Sequence, residues 1–391
     1  MKKDRNASID IVKGIAIILM VAGHAYVPFI HFIYLFHMAA FFIASGYCYN
    51  EKNSAAAGDL FHYILKRIKG LYLPYVVWNS IFSILHNFFI RINFYSDNIE
   101  VLNYYTLFDL GQTQLTQNWT VSETIKNIGR TFLFGGATEI GGPMWFLAVL
   151  FEVSVVYAVV DLLINKIMML IFHFSRSSNR TLDDLELVKL ILQGIVSGIF
   201  LAAGFYFSRN GIVFHNLTIM LTVYCLYFMG LVMRKSALFQ NDATTGTKIT
   251  IAFLSFITLL MLNRFVTISI ASNTYDNPMA LISCSFAGFV FLYEISDIIK
   301  DTFLKKPLVL LGQNTLYIMI FHFSVFKLIN KMAAKIMGMP DLLTAVFPVL
   351  LRGRYIWIIY TVFGVGISLG ISLLVNKVKT MTKKLPVKGR K

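Results

Sequence analysis

Residues 5–47 read RNASIDIVKGIAIILMVAGHAYVPFIHFIYLFHMAAFFIASGY. The stretch holds two apolar runs, each near the ~20 residues that carry a helix across a hydrocarbon core. Inside them sit Asp10, Lys13, His24 and His37. Ionisable groups at membrane depth are costly and face a protein interior or a water-filled cavity. The stretch therefore predicts a membrane-spanning helical protein built around a polar stripe.

Composition agrees. Of 391 residues, 57% are hydrophobic and only 14% charged, against about 25% charged in a soluble domain. There is too little charge to coat a water-facing surface. The net charge of +15 is read as loop charge on the inner membrane face rather than a nucleic-acid footprint. Cys48, Cys225 and Cys284 lie in or beside apolar runs. They show no CxxC or metal-ligand spacing, so neither a metal site nor a disulfide is expected.

Ten spans can be drawn, at about 9–28, 31–50, 71–92, 143–164, 188–207, 212–233, 248–271, 278–299, 307–330 and 355–376. With the N-terminus inside, 23 of the 35 Lys and Arg fall in inner segments and eight in outer ones. That bias predicts an all-α polytopic transmembrane bundle with both termini cytoplasmic. Residues 1–376 read as one membrane domain, with 93–142 as a polar outer cap or lip. Residues 377–391 form a basic tail suited to anionic lipid. Oligomeric state is left open.

Lys13 and His24 are eleven residues apart, about 20° past three full helical turns, so they share a face roughly 16 Å apart along the axis. Asp10, three residues before Lys13, is placed to pair with it. Their ordinary structural reading is a helix-end ion pair and an interfacial histidine. His37 reads equally as a packing residue, and the Ser45-Gly46-Tyr47 run as a helix stop. Lys66, Arg67 and Lys69 precede Pro74 at an inner membrane entrance. They fit either the positive-inside bias or a site for a phosphate-bearing ligand. Trp145 marks an outer mouth. Glu152, about two turns deeper, needs a partner, for which Arg264 is a candidate. Asn314 and His322 lie on span nine.

In this order, the stretches resemble the acyltransferase-3 family of membrane O-acyltransferases, nearest its fucose 4-O-acetylase-like branch. The likeness rests on Asp10-Ile-Val-Lys13-Gly14 through Gly23-His24, on FHMAAFFIASGY from Phe36 to Tyr47, and on the Lys66–Tyr75 loop. The WFL at Trp145 and LGQNTLYIMIFH from Leu311 to His322 complete it. Two departures stand out: Lys13 occupies the wider family's arginine position, and Gly70 its second loop arginine. The resemblance implies transfer of an acyl group, most often acetyl, from cytoplasmic acyl-CoA to a hydroxyl of a surface or lipid-linked glycan. The setting implied is a bacterial inner membrane.

On that resemblance His24 is the catalytic base or acyl carrier, with Asp10 and Lys13 ordering the inner half of the path. Arg67 and Lys69 bind the donor, and Ser45 and Tyr47 line the acyl path. His37, Trp145, Glu152, His322 and Asn314 are cavity or acceptor candidates. Acetyl-CoA is the donor substrate, and no permanently bound cofactor is expected. The rival reading is a transporter or flippase for a glycan or lipid intermediate, which ten spans with buried charges fit equally well. The basic inner loop paired with the Lys13–His24 stripe favours the transferase.

Overall fold

The structure, a computed structural model, describes residues 6–108, 115–174, 182–214, 216–236 and 243–384. It is helical almost throughout. The helices are α1 (Ala7–His24), α2 (Ile30–Tyr34), α3 (His37–Tyr47), α4 (Ala57–Arg67), α5 (Leu73–Ile84), α6 (His86–Arg91), α7 (Glu100–Phe108) and α8 (Val121–Phe132). They continue as α9 (Trp145–Phe174), α10 (Leu182–Arg209), α11 (Leu217–Lys235), α12 (Thr245–Leu262), α13 (Pro278–Ile299), α14 (Lys305–Gln313), α15 (Thr315–Ile336) and α16 (Ile356–Lys384). The described sheet is a two-stranded antiparallel hairpin, β1 (Ile268–Ser269) with β2 (Thr274–Tyr275), pairing Ile268 with Tyr275 and Ser269 with Thr274.

Among the described residues, nine helices are long and apolar enough to cross a membrane. α2 and α3 together count as one of them. The expected span at 71–92 is not in the set. The chain there follows α4 with a π-helical turn at Ile68–Tyr72 and is then divided into α5 and α6. Pro74 lacks the N–H that would bond one turn back, and the wide π turn lies where that bond would fall. Leu85, at φ −81° and ψ 0°, then separates α5 from α6. The tail expected from 377 begins inside α16; residues beyond Lys384 lie outside the described set.

α1 is the central post. Asn6 caps it, its side chain accepting from Ile9 N–H at 3.2 Å. Of its length 67% is buried, against 11% of α12, which lies at the rim with apolar side chains outward. Two reciprocal glycine contacts set the closest approaches. A Cβ on Gly14 would overlap the Leu308 carbonyl, and one on Gly312 the Asp10 carbonyl, so α1 and α14 touch backbone to backbone. Gly46 and Gly230 do the same for α3 and α11, against the carbonyls of Tyr227 and Ile43. Small residues of this kind permit close helix packing where lipid supplies no hydrophobic drive.

Between α6 and α9 the described residues carry α7 and α8. α8 begins with a reciprocal capping box: Thr120 N–H donates to Glu123 at 2.7 Å, and Glu123 N–H to Thr120 Oγ1 at 3.2 Å. The α15–α16 connection is tied down by Lys327, only 1% exposed. Its ammonium lies 2.6 Å from Glu139 and donates to the carbonyl of Ala345 at 2.7 Å. Asn330 donates to Val346 O at 2.9 Å and accepts from Tyr360 Oη at 2.7 Å.

Candidate active site

His24 is the last residue of α1, where the helix stops before Tyr26, a residue with φ 58°. That end faces a cavity of about 60 Å³. Its wall is assembled from distant parts of the chain. Met20 and His24 come from α1, Tyr34 from α2, and His37 and Met38 from α3. Pro143 and Trp145 come from the entrance to α9, Ile268 to Ala271 from the hairpin, and Met319 from α15. The volume admits a few waters.

Three histidines meet here. His37 opens α3 after the break at Phe36, and its Nδ1 donates to Ile33 O at 2.9 Å. A carbonyl oxygen only accepts, so in neutral His37 the other nitrogen is an acceptor. Tyr34 stacks on this imidazole with ring centroids 5.1 Å apart. His322 of α15 stacks on His24 at 5.4 Å with the rings inclined by 27°. Phe323 meets His24 edge-on at 4.8 Å. Of the residues singled out by sequence, His24, His37 and Trp145 share the cavity wall, and His322 lies directly behind His24.

The others are placed elsewhere. Asp10 is buried at the far end of α1 and accepts from Gln313 Nε2 at 3.1 Å. Among the described residues it forms no ion pair with Lys13, and α14 supplies a partner. Arg67 ends α4, its Nε donating to Tyr63 Oη at 2.9 Å and its guanidinium lying over the Tyr63 ring at 4.9 Å. Lys69, in the π turn, is exposed. Ser45 is half-buried, and the Tyr47 ring lies 6.0 Å from that of Tyr293.

Glu152 has a buried carboxylate oxygen without a hydrogen-bond partner, and Arg264 is not its counter-ion: that arginine is exposed beyond the end of α12. Asn314 belongs to the helix junction, donating to Leu310 O at 2.7 Å and accepting from Ser372 at 2.6 Å.

The sequence reading missed Tyr34 and the hairpin. Tyr34 stands three residues before His37, a spacing that could have flagged it. The run VTISIASNTY carries β-branched alternation and a turn signal, a recognisable strand pattern hidden at the end of an apolar span.

A family model described as an acyltransferase domain matches residues 6–377. The chain belongs to the acyltransferase-3 family. Comparison with curated proteins and with solved structures finds no match. As an acyltransferase-3 protein it is a membrane acyltransferase, and the match runs from the N-cap of α1 into α16. The family signature of span one thus coincides with the helix that carries His24 to the cavity.

Proposed function

We propose that this acyltransferase moves an acetyl group from acetyl-CoA to a hydroxyl of a cell-surface or lipid-linked glycan, in a bacterial inner membrane. The observation that supports this reading best is His24 at the head of α1, in a small cavity shared with His37 and Trp145. The transfer needs a base for the acceptor hydroxyl. A neutral imidazole is suited to it, because its bare ring nitrogen can take the proton. The acceptor oxygen bonds to the thioester carbonyl carbon, His24 takes the hydroxyl proton, and the carbon–sulfur bond then breaks to release the thiol.

Donor and acceptor approach from opposite ends of α1. The Asp10 and Lys13 end, with Lys69 exposed nearby in sequence to Arg67, receives the CoA phosphates from the cytoplasm. The His24 end receives the sugar. About 16 Å of α1 separates Lys13 from His24, a path that an extended thioester arm can follow past Ser45 and Tyr47. The test is mass spectrometry of the host's surface glycan with and without the protein. One acetyl per repeat disappears when the protein is absent or carries His24→Ala, while the variant still reaches the membrane. An unchanged glycan in both cases defeats the proposal.

A further inference from the structure

His322 is fully buried, at 0% exposure. Its Nδ1 lies 2.9 Å from Met319 O and 3.1 Å from Ile318 O. Both oxygens can only accept, so Nδ1 carries the proton and, in neutral imidazole, Nε2 is a bare lone pair. That Nε2 is sealed from solvent and has no hydrogen-bond partner. An acceptor buried in this way is costly, and each such atom asks for a functional reason. Three rings bound His322: Phe323 at 4.4 Å, His24 at 5.4 Å and Phe326 at 5.7 Å. Of the three, only His24 can supply an N–H. Among the described residues, no Asp or Glu forms an ion pair with any of the three cavity histidines.

We infer that His322 orients His24, its Nε2 accepting the His24 N–H that points away from the substrates. The inference rests on the reading of His24 as the base. When His24 takes the acceptor proton it holds two N–H groups and a positive charge in an apolar pocket. One N–H lies toward the substrates; the other needs an acceptor. An aspartate fills that position in many base-assisted transfers, fixing the tautomer. Here a second imidazole, its own tautomer locked by two backbone carbonyls, occupies it.

As the tetrahedral carbon collapses, the sulfur leaves with the carbon–sulfur electron pair and takes the proton from His24. The sum is hydroxyl plus thioester giving ester plus thiol, with no further reactant. In the structure the two rings stack instead of meeting edge to edge, and a turn of His24 about its side-chain torsions makes the contact. His322 touches neither substrate and acts as a positioning residue.

Two substitutions separate its two nitrogens. His322→Gln sets an amide oxygen near the place of Nε2. His322→Asn keeps an N–H near Nδ1 for Met319 and leaves the Nε2 place empty. In protein purified in detergent, ¹⁵N shifts of His24 report its tautomer. Release of free thiol from acetyl-CoA, with water as the acceptor, reports turnover. The parent and the Gln variant hold His24 in a single tautomer and release thiol within about threefold of each other. The Asn variant gives mixed tautomers and loses about tenfold or more in kcat, with an unchanged KM for acetyl-CoA.

A single His24 tautomer in all three proteins, with equal thiol release, overturns the inference. A parent that releases no thiol counts against acetyl-CoA as donor, and the tautomer comparison then decides the role of His322 by itself. If the Asn variant is not folded, His322→Leu, which also lacks the acceptor, takes its place with the same expected outcomes.

Discussion

Gly46 shows how little freedom single positions have in this bundle. It sits in the FHMAAFFIASGY motif, where sequence suggests only a helix stop. In the structure its missing side chain lets α3 lie against the Tyr227 carbonyl of α11. Backbone cannot yield as a flexible side chain can, so Gly46→Ala should lower stability by about 1–3 kcal/mol through overpacking. Thermal unfolding in detergent measures it, and an unchanged midpoint would contradict the packing argument. His24, His37, Trp145 and His322 were nominated because their motifs, weak singly, occur together in one order along the chain. The partner of Asp10 was not. Helical spacing nominated Lys13 on the same helix, whereas Gln313 reaches it only because Gly14 and Gly312 bring α14 close. Spacing along one element carries no information about which other element arrives.

At the scale of elements, apolar length was the reliable signal, and it failed where a helix is interrupted. Nothing in the hydrophobicity of 71–92 marks the π turn ahead of Pro74 or the break at Leu85. Equally hidden was the Lys327–Glu139 pair, which joins α15 to the segment leading into Trp145. Burial pushes the Glu139 carboxyl above its usual range, and the Lys327 ammonium pulls it back. Lys327→Met leaves that carboxylate uncompensated and should cost about 3–5 kcal/mol, while Lys327→Met with Glu139→Gln should restore most of the loss. A double variant as unstable as the single one argues against the pair.

At the other end of the bundle, Glu51 is held by Lys235 at 2.8 Å and Lys189 at 3.1 Å. Burial raises its pKa, but the two ammonium groups outweigh this and the net shift is downward. A carboxyl depressed on folding stabilises above its unfolded pKa, about 4.3, and the benefit fades as pH falls through the folded value. Glu51→Gln should therefore flatten the acid side of the stability profile. Unfolding midpoints across pH provide the check.

For the molecule as a whole, the charge bias predicts which side each loop faces. Cysteines placed at Val213, 83% exposed between α10 and α11, and at Phe303, 87% exposed between α13 and α14, test it. An impermeant maleimide applied to intact cells should label the first and spare the second; the reverse pattern inverts the bundle. The interlocked glycines have a kinetic consequence. With α1 seated on α14 and α3 on α11 along their backbones, parting the central helices would forfeit those close contacts. A 60 Å³ cavity must nevertheless admit an acyl acceptor and release the product once per cycle. The freedom left lies in the 268–275 hairpin that lines the cavity. Turnover is then paced by how often that hairpin swings aside, so it should slow as solvent viscosity rises and respond weakly to heavy water.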